Sequence, residues 1–230
     1  MKKSLSISLI FFCSHGLFAQ SGEVSIIDQN VNPGGVIDEL PLPPPKTEGH
    51  VYLFEDWKQA EIILKSGQML KNYQARIDLK HKLVEIQTKA EVKVCNFSLL
   101  AELSITDSNG NRQFINTDQL QSKGKLPTGI VEVLLDKEVE VLKHHYIEIK
   151  EPTYVPAVDM GSKNKKILKK AQIYALKDGV LFKVNGKLKK NQELFGNQYP
   201  LVETFASSNK LNFKDIDDLI KIVEYYLSMN

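Results

Sequence analysis

Disulfide bonds are excluded as a source of stability for this chain. Of its two cysteines, Cys13 lies in a stretch expected to be removed, which leaves Cys95 without a partner. The fold must therefore rest on its apolar core. Val92, Val94 and Phe97 lie around Cys95 in sequence, so the thiol reads as a small buried hydrophobe and not as a nucleophile. Excess charge is missing as well. The whole chain carries +2, but Lys2 and Lys3 supply both surplus charges, and the remainder balances 28 basic against 28 acidic residues. A neutral total argues against a nucleic-acid binder. No transmembrane segment is expected in the mature chain.

The common motifs of catalysis are also absent. There is no Gly-x-Ser-x-Gly nucleophile elbow, and Gly34-Gly35 has no Gly-Lys-Ser/Thr after it to cradle a phosphate. Neither His-Glu-x-x-His nor Cys-x-x-Cys occurs, so no metal site and no cofactor is expected. Asn96-Phe97-Ser98 fits a glycosylation acceptor, but within an apparent strand it reads as chance.

What is present begins with an address. Lys2-Lys3, the apolar run Leu5 to Phe12 and the small residue Ala19 after Leu17-Phe18 have the layout of a secretory signal peptide over residues 1–19. The bulk of Phe11-Phe12 argues against acylation at Cys13. The protein is expected to be exported, to the periplasm or the cell surface. Residues 20–49 read as a proline-rich, disordered tether, with Pro41 and Pro43-Pro44-Pro45 favouring extended geometry and Val24 to Ile27 offering an edge strand.

Residues 50–190 read as an antiparallel β domain. Tyr73, Ala75, Ile77 and Leu79 alternate with polar neighbours, and so do Leu99, Ala101, Leu103 and Ile105. Ser66-Gly67, Asn109-Gly110, Asp136-Lys137 and Asp178-Gly179 mark the turns between runs. The spacing predicts nine to eleven strands in a meander, forming a curved sheet, a sandwich or an open barrel. The period becomes helical in residues 191–230. Pro200 opens a short helix over Leu201 to Phe205. Asn212 reads as the cap of a second helix, with Asp215 as its reciprocal partner and Leu211 and Ile216 as a staple. Ile216, Leu219, Ile220, Val223 and Tyr226 then form the face that packs on the sheet. The fold class is mainly β (α+β), with C-terminal helices packed on the sheet.

Tyr52-Leu53-Phe54 with Trp57, the run Gly67 through Asp78, Phe114-Ile115-Asn116 and the tail Asn209-Lys210-Leu211-Asn212-Phe213-Lys214 … Asp218-Leu219-Ile220-Lys221 … Glu224-Tyr225-Tyr226 together resemble one family. It is an uncharacterised group of small exported β-rich proteins of Gram-negative bacteria. The resemblance implies export and architecture, and no catalytic residue is carried over from it.

Three groups of side chains invite chemistry. His144 and His145 are adjacent, but on a strand they face opposite ways and cannot grip one ion. Glu132, Glu138 and Glu140 could supply the paired carboxylates of a glycosidase, yet their alternation with valines reads as a solvent face. Lys163, Lys165, Lys166, Lys169, Lys170, Lys187, Lys189 and Lys190, with Lys177 and Lys183, crowd a stretch whose one acid is Asp178. Lysines there either blunt a sheet edge or meet an anionic surface, such as lipid headgroups or acidic glycans. The expected function is a non-enzymatic binding or scaffold module of the cell envelope, its partner an envelope protein or one of those anionic surfaces. The alternatives are an envelope-polymer hydrolase or lyase using unassigned carboxylates, and a carrier of apolar ligands.

Overall fold

The computed structural model describes residues 46–108, 110–124 and 126–229. The leader and nearly all of the tether, including the edge strand expected at Val24 to Ile27, lie outside the described residues.

Two meanders make one sheet. The first comprises β2 (Lys58–Leu64), β3 (Met69–Asp78), β4 (Leu83–Gln87) and β5 (Val92–Asn96). The second runs through β6 (Leu100–Asp107), β7 (Gly110–Asn116), β8 (Ile130–Leu135), β9 (Val139–Lys150), β10 (Lys165–Lys177) and β11 (Val180–Lys183). Pairing of β2 with β6 joins them, giving the order β1-β10-β9-β8-β7-β6-β2-β3-β4-β5 with β11 also on β10. The short β1 (Thr47–Glu48) pairs parallel with β10, so the sheet is mixed at that edge and otherwise antiparallel. The turns expected at Ser66-Gly67, Asp136-Lys137 and Asp178-Gly179 hold, whereas Asn109 lies outside the described residues and Gly110 already pairs with Asp107 as the first residue of β7. Gly67 lies at φ +85°, and Asp178 and Gly179 take the paired positive φ values, 51° and 72°, that a tight hairpin requires.

The sheet is strongly curved. Seven inter-strand steps of about 4.8 Å separate β1 from β3, roughly 34 Å if the sheet were flat. Yet Tyr52 bridges Asp78 at the end of β3, and the backbone of Leu53 donates to Ile77 at 2.9 Å. The four steps from Glu48 to Tyr52 reach at most about 14 Å. The sheet must therefore curl so that β1 and the end of β3 approach each other, with residues 49–57 as a strap between them.

Register assigns the faces. Glu132 pairs with Phe114 on one side and Lys143 on the other, so Phe114, Glu132, Lys143 and His145 share the inner face. On that face, Ala60, Ile62, Ala75, Ile77, Val84, Leu103, Ile105 and Phe114 form a core under the first meander. The helices α2 (Tyr199–Ser208) and α3 (Ile216–Leu227), led by the single turn α1 (Gln192–Phe195), cover Val139, Val141 and Ala175. A third cluster, with Val131, Leu142 and Leu176, lies on the outer face, where Leu120 and Leu126 pack over it.

The helical expectations need adjustment. Asp215, not Asn212, caps α3, accepting from the Asp218 amide at 3.1 Å. Asn212 instead closes the preceding turn through the Lys214 amide, because Phe213 between them is buried in the core. Ile222 replaces Ile220 on the buried face, beside Leu219, Val223 and Tyr226. The first helix is longer than expected, reaching from Tyr199 to Ser208. Cys95 is buried, but Val92 and Val94 are exposed on the opposite face of the edge strand, and Val84 is its cross-strand neighbour. Burial also pushes the thiol pKa up.

Candidate functional site: a cavity under the strap

The curved inner face is not filled along its whole length. An open cavity of about 460 Å³ lies between the second half of β9, the end of β3 and the strap. Its apolar walls include Leu53, Ile77, Phe97, Phe114, Ile130, Ile147 and Ile149. This volume falls in the range typical of small-molecule pockets, roughly 300–1,000 Å³.

Each wall has a local cause. The strap is clamped on the outer face by Arg76, which donates from Nε to Glu85 at 2.8 Å and from Nη2 to the Tyr52 hydroxyl at 3.1 Å. Its guanidinium lies 3.9 Å from the Tyr52 ring centroid and 4.5 Å from that of Trp57. The phenol donates in turn to Glu85, and burial with that carboxylate raises the Tyr52 pKa. With Tyr52 held outside, Leu53 turns inward over the cavity and Phe54 stacks at 4.6 Å on Arg112.

The wall formed by residues 127–130 is fastened by Thr117. Its amide donates to the Gly129 carbonyl at 2.9 Å, and its hydroxyl accepts from the Gly129 amide at 3.1 Å. Gly129 has φ +139°, and a Cβ there would stand 3.3 Å from the Phe97 ring, so both backbone shape and space call for glycine. Buried Asn116 places Phe97 by donating to its carbonyl at 2.6 Å and to that of Leu100 at 2.8 Å.

The β3–β4 turn supplies the mouth. Buried Asp78 accepts from the amides of Lys80 and His81, both at 2.8 Å, and pairs with the His81 ring at 2.8 Å. Lys82 adopts φ +55°, and its carbonyl accepts from Phe97 at 3.0 Å. This fixed turn sets Lys80 and Lys82 beside the opening, with Lys82 Nζ 3.4 Å from the Thr128 carbonyl. His144 borders the same opening; burial lowers its pKa, and His145 and Lys82 lower it further.

A buried ionic cluster lies behind the cavity. Arg112 forks onto Glu132, Nε to Oε1 at 2.6 Å and Nη2 to Oε2 at 2.8 Å. His145 Nε2 lies 2.6 Å from Glu132 Oε2. Burial opposes the Glu132 charge, but hydrogen bonds from His145 and Arg112 outweigh it and hold the carboxyl at about 2. Burial drives His145 down more strongly than Glu132 raises it. The stable form is thus carboxylate, guanidinium and a neutral imidazole donating from Nε2. Glu132 is only 5% exposed, so its expected place on a solvent face is corrected. β8 is covered on both faces, and alternation with valine does not mark an outside there. Glu138 is exposed and Glu140 half-buried.

Of these residues, sequence reasoning singled out Glu132, His144 and His145 but missed Asp78, Lys80, Lys82 and Arg112. One signal was available: Arg76 and Arg112 are the chain's two arginines, against 28 lysines. Both stand on strands, and each forks into a shielded pair that lysine's single ammonium would not reproduce. His144 and His145 diverge as strand geometry requires, one toward the Tyr146 ring and the other onto Glu132. Among the described residues, no group of three or more His, Cys, Asp or Glu side chains is placed to hold a metal ion.

The lysine-rich stretch is dispersed. Lys165 and Lys169 fall on one face of β10 and Lys166 and Lys170 on the other. Lys163 pairs with Asp159 at 3.4 Å, Lys165 with Glu151 at 2.8 Å, Lys166 with Glu48 at 3.4 Å and Lys170 with Glu148 at 3.8 Å. Lys169 reaches the strap, 3.5 Å from the Leu53 carbonyl. Lys187, Lys189 and Lys190 stand apart, at the turn leading into α1. Among the described residues, no helix is long and apolar enough to cross a membrane. No protein-family model, curated protein or solved structure matches the chain.

Proposed function

We propose that this chain is an exported, non-enzymatic binding protein of the bacterial cell envelope that takes an apolar small molecule into the cavity under its strap. The signal-like leader supports export. One observation carries the binding reading: a concave face with packed clusters at both ends leaves a cavity where Leu53, Phe114, Ile147 and Ile149 converge. Binding is favoured over hydrolysis because no carboxylate occurs among the cavity's described lining residues. Glu132, which holds the lining residue His145, is committed to it and to Arg112 and is held ionised, which unsuits it as a general acid. An anionic surface contact through the β10 lysines draws less support, because Glu48, Glu148, Glu151 and Asp159 offset four of those charges.

Titration with N-phenyl-1-naphthylamine, a neutral apolar fluorophore, tests the reading. One saturable site is expected, lost in Ile147→Trp while the thermal unfolding midpoint is kept. Absence of binding, or binding unaffected by that substitution, would count against the cavity as the site.

A further inference from the structure

The charge around the opening is one-sided. Lys80 and Lys82 border the cavity, and the described lining has no acidic side chain to answer them. Two buried carboxylates joined to lining residues, Asp78 and Glu132, are already engaged. Asp78 accepts two backbone amides and holds the His81 ring, and Glu132 is taken by Arg112 and His145. Lys80 and Lys82 form no ion pair among the described residues, unlike Lys163, Lys165, Lys166 and Lys170 on the other lysine-rich stretch. The two lysines are not on a loose loop either, since Asp78 and the Phe97 amide fix the turn that carries them. An apolar chamber with a fixed, unpaired cationic mouth fits a ligand with the reverse layout.

Resting on the cavity reading above, we propose that the ligand is a single-chain anionic amphiphile. Its apolar body lies against Phe97, Phe114, Ile147 and Ile149, and its carboxylate or phosphate head is held at the mouth by Lys80 and Lys82. The strap side chain Leu53 closes over the apolar end. The ligand enters as a monomer, because the apolar surface beside the two lysines is a cavity and not a flat face.

Competition against bound N-phenyl-1-naphthylamine with decanoate, decanol and decylamine, matched in chain length, separates the possibilities. Decanoate is expected to displace the probe at a concentration about tenfold lower than decanol, a difference of about 1.4 kcal/mol, with decylamine weakest. In the double variant Lys80→Gln/Lys82→Gln, decanoate should fall to the level of decanol, while decanol and the unfolding midpoint stay unchanged. Equal displacement by decanoate and decanol in the unaltered protein would overturn the head-group assignment and leave the cavity standing. Failure of the probe itself to bind would remove the cavity reading beneath it. Binding to phosphatidylglycerol vesicles without displacement by monomeric decanoate would also overturn the proposal, in favour of a surface contact.

Discussion

The two halves of β9 present the same face of the same strand to different surroundings. Val139 and Val141 lie under α2 and α3 and are essentially inaccessible, while Ile147 and Ile149 border the cavity and Ile149 is 37% exposed. Arg112, Glu132 and His145 stand at the seam between these regions. One end of the curved sheet is thus finished by the chain's own helices, and the other is left for something else. Stability is expected to reside in the first end and ligand recognition in the second.

Truncation after Asn209 should break the comparison most severely. It removes Phe213, Leu219, Ile222, Val223 and Tyr226, all buried. At about 1.5–3 kcal/mol for each large side chain, the loss rivals a typical total stability of about 5–15 kcal/mol. Circular dichroism should show no cooperative unfolding transition; a melting curve like that of the intact protein would mean that α3 does not finish the core.

Glu132→Ala addresses the seam. It leaves Arg112 and His145 facing each other without their shared acceptor, and should cost about 3–5 kcal/mol in urea unfolding. A cost below about 1 kcal/mol would show the cluster to be solvated and the two regions to be independent of it.

The ends themselves are compared by equal truncations. Ile222→Ala should cost about 2–5 kcal/mol, because it opens a void in a filled core. Ile149→Ala should change stability by less than about 1 kcal/mol and weaken probe binding instead. Equal costs at both positions would erase the proposed division of labour.

Mild acid should have the smallest effect. His144 and His145 have pKa values lowered below their ordinary 6.5. Between pH 6.5 and those lowered values the unfolded chain binds protons that the folded chain refuses, so stability falls as pH drops through this window. Glu132 acts lower down. Its contribution is full above its ordinary 4.5 and is lost as pH falls toward 2. His145→Gln should flatten the upper part of the decline in thermal midpoint, and an unchanged slope would remove His145 as its source.

The packed end was far easier to read from sequence than the open one. Period-two alternation and glycine turns revealed the strands, and the helical stripe at Leu219, Val223 and Tyr226 announced a packing face. In sequence Asn212 and Asp215 are equally good caps; the burial of Phe213, a tertiary effect, decides between them. The cavity has no local signature. Its walls come from β3, β7, β9, the strap and the 127–130 segment, which only the curvature of the sheet brings together. The lysine count over residues 163–190 missed Glu48, Glu148 and Glu151 because cross-strand partners lie outside any sequence window. β1 was hidden in the same way, since two residues carry no periodicity.

The most direct test is a methyl NMR titration of isoleucine-labelled protein with decanoate. Ile77, Ile130, Ile147 and Ile149 line the cavity, whereas Ile216, Ile220 and Ile222 belong to the helix over the filled end. The account predicts saturable shifts in the first set and unmoved signals in the second. Shifts centred on Ile216, Ile220 or Ile222, or no saturable shift at any of the seven, would contradict it.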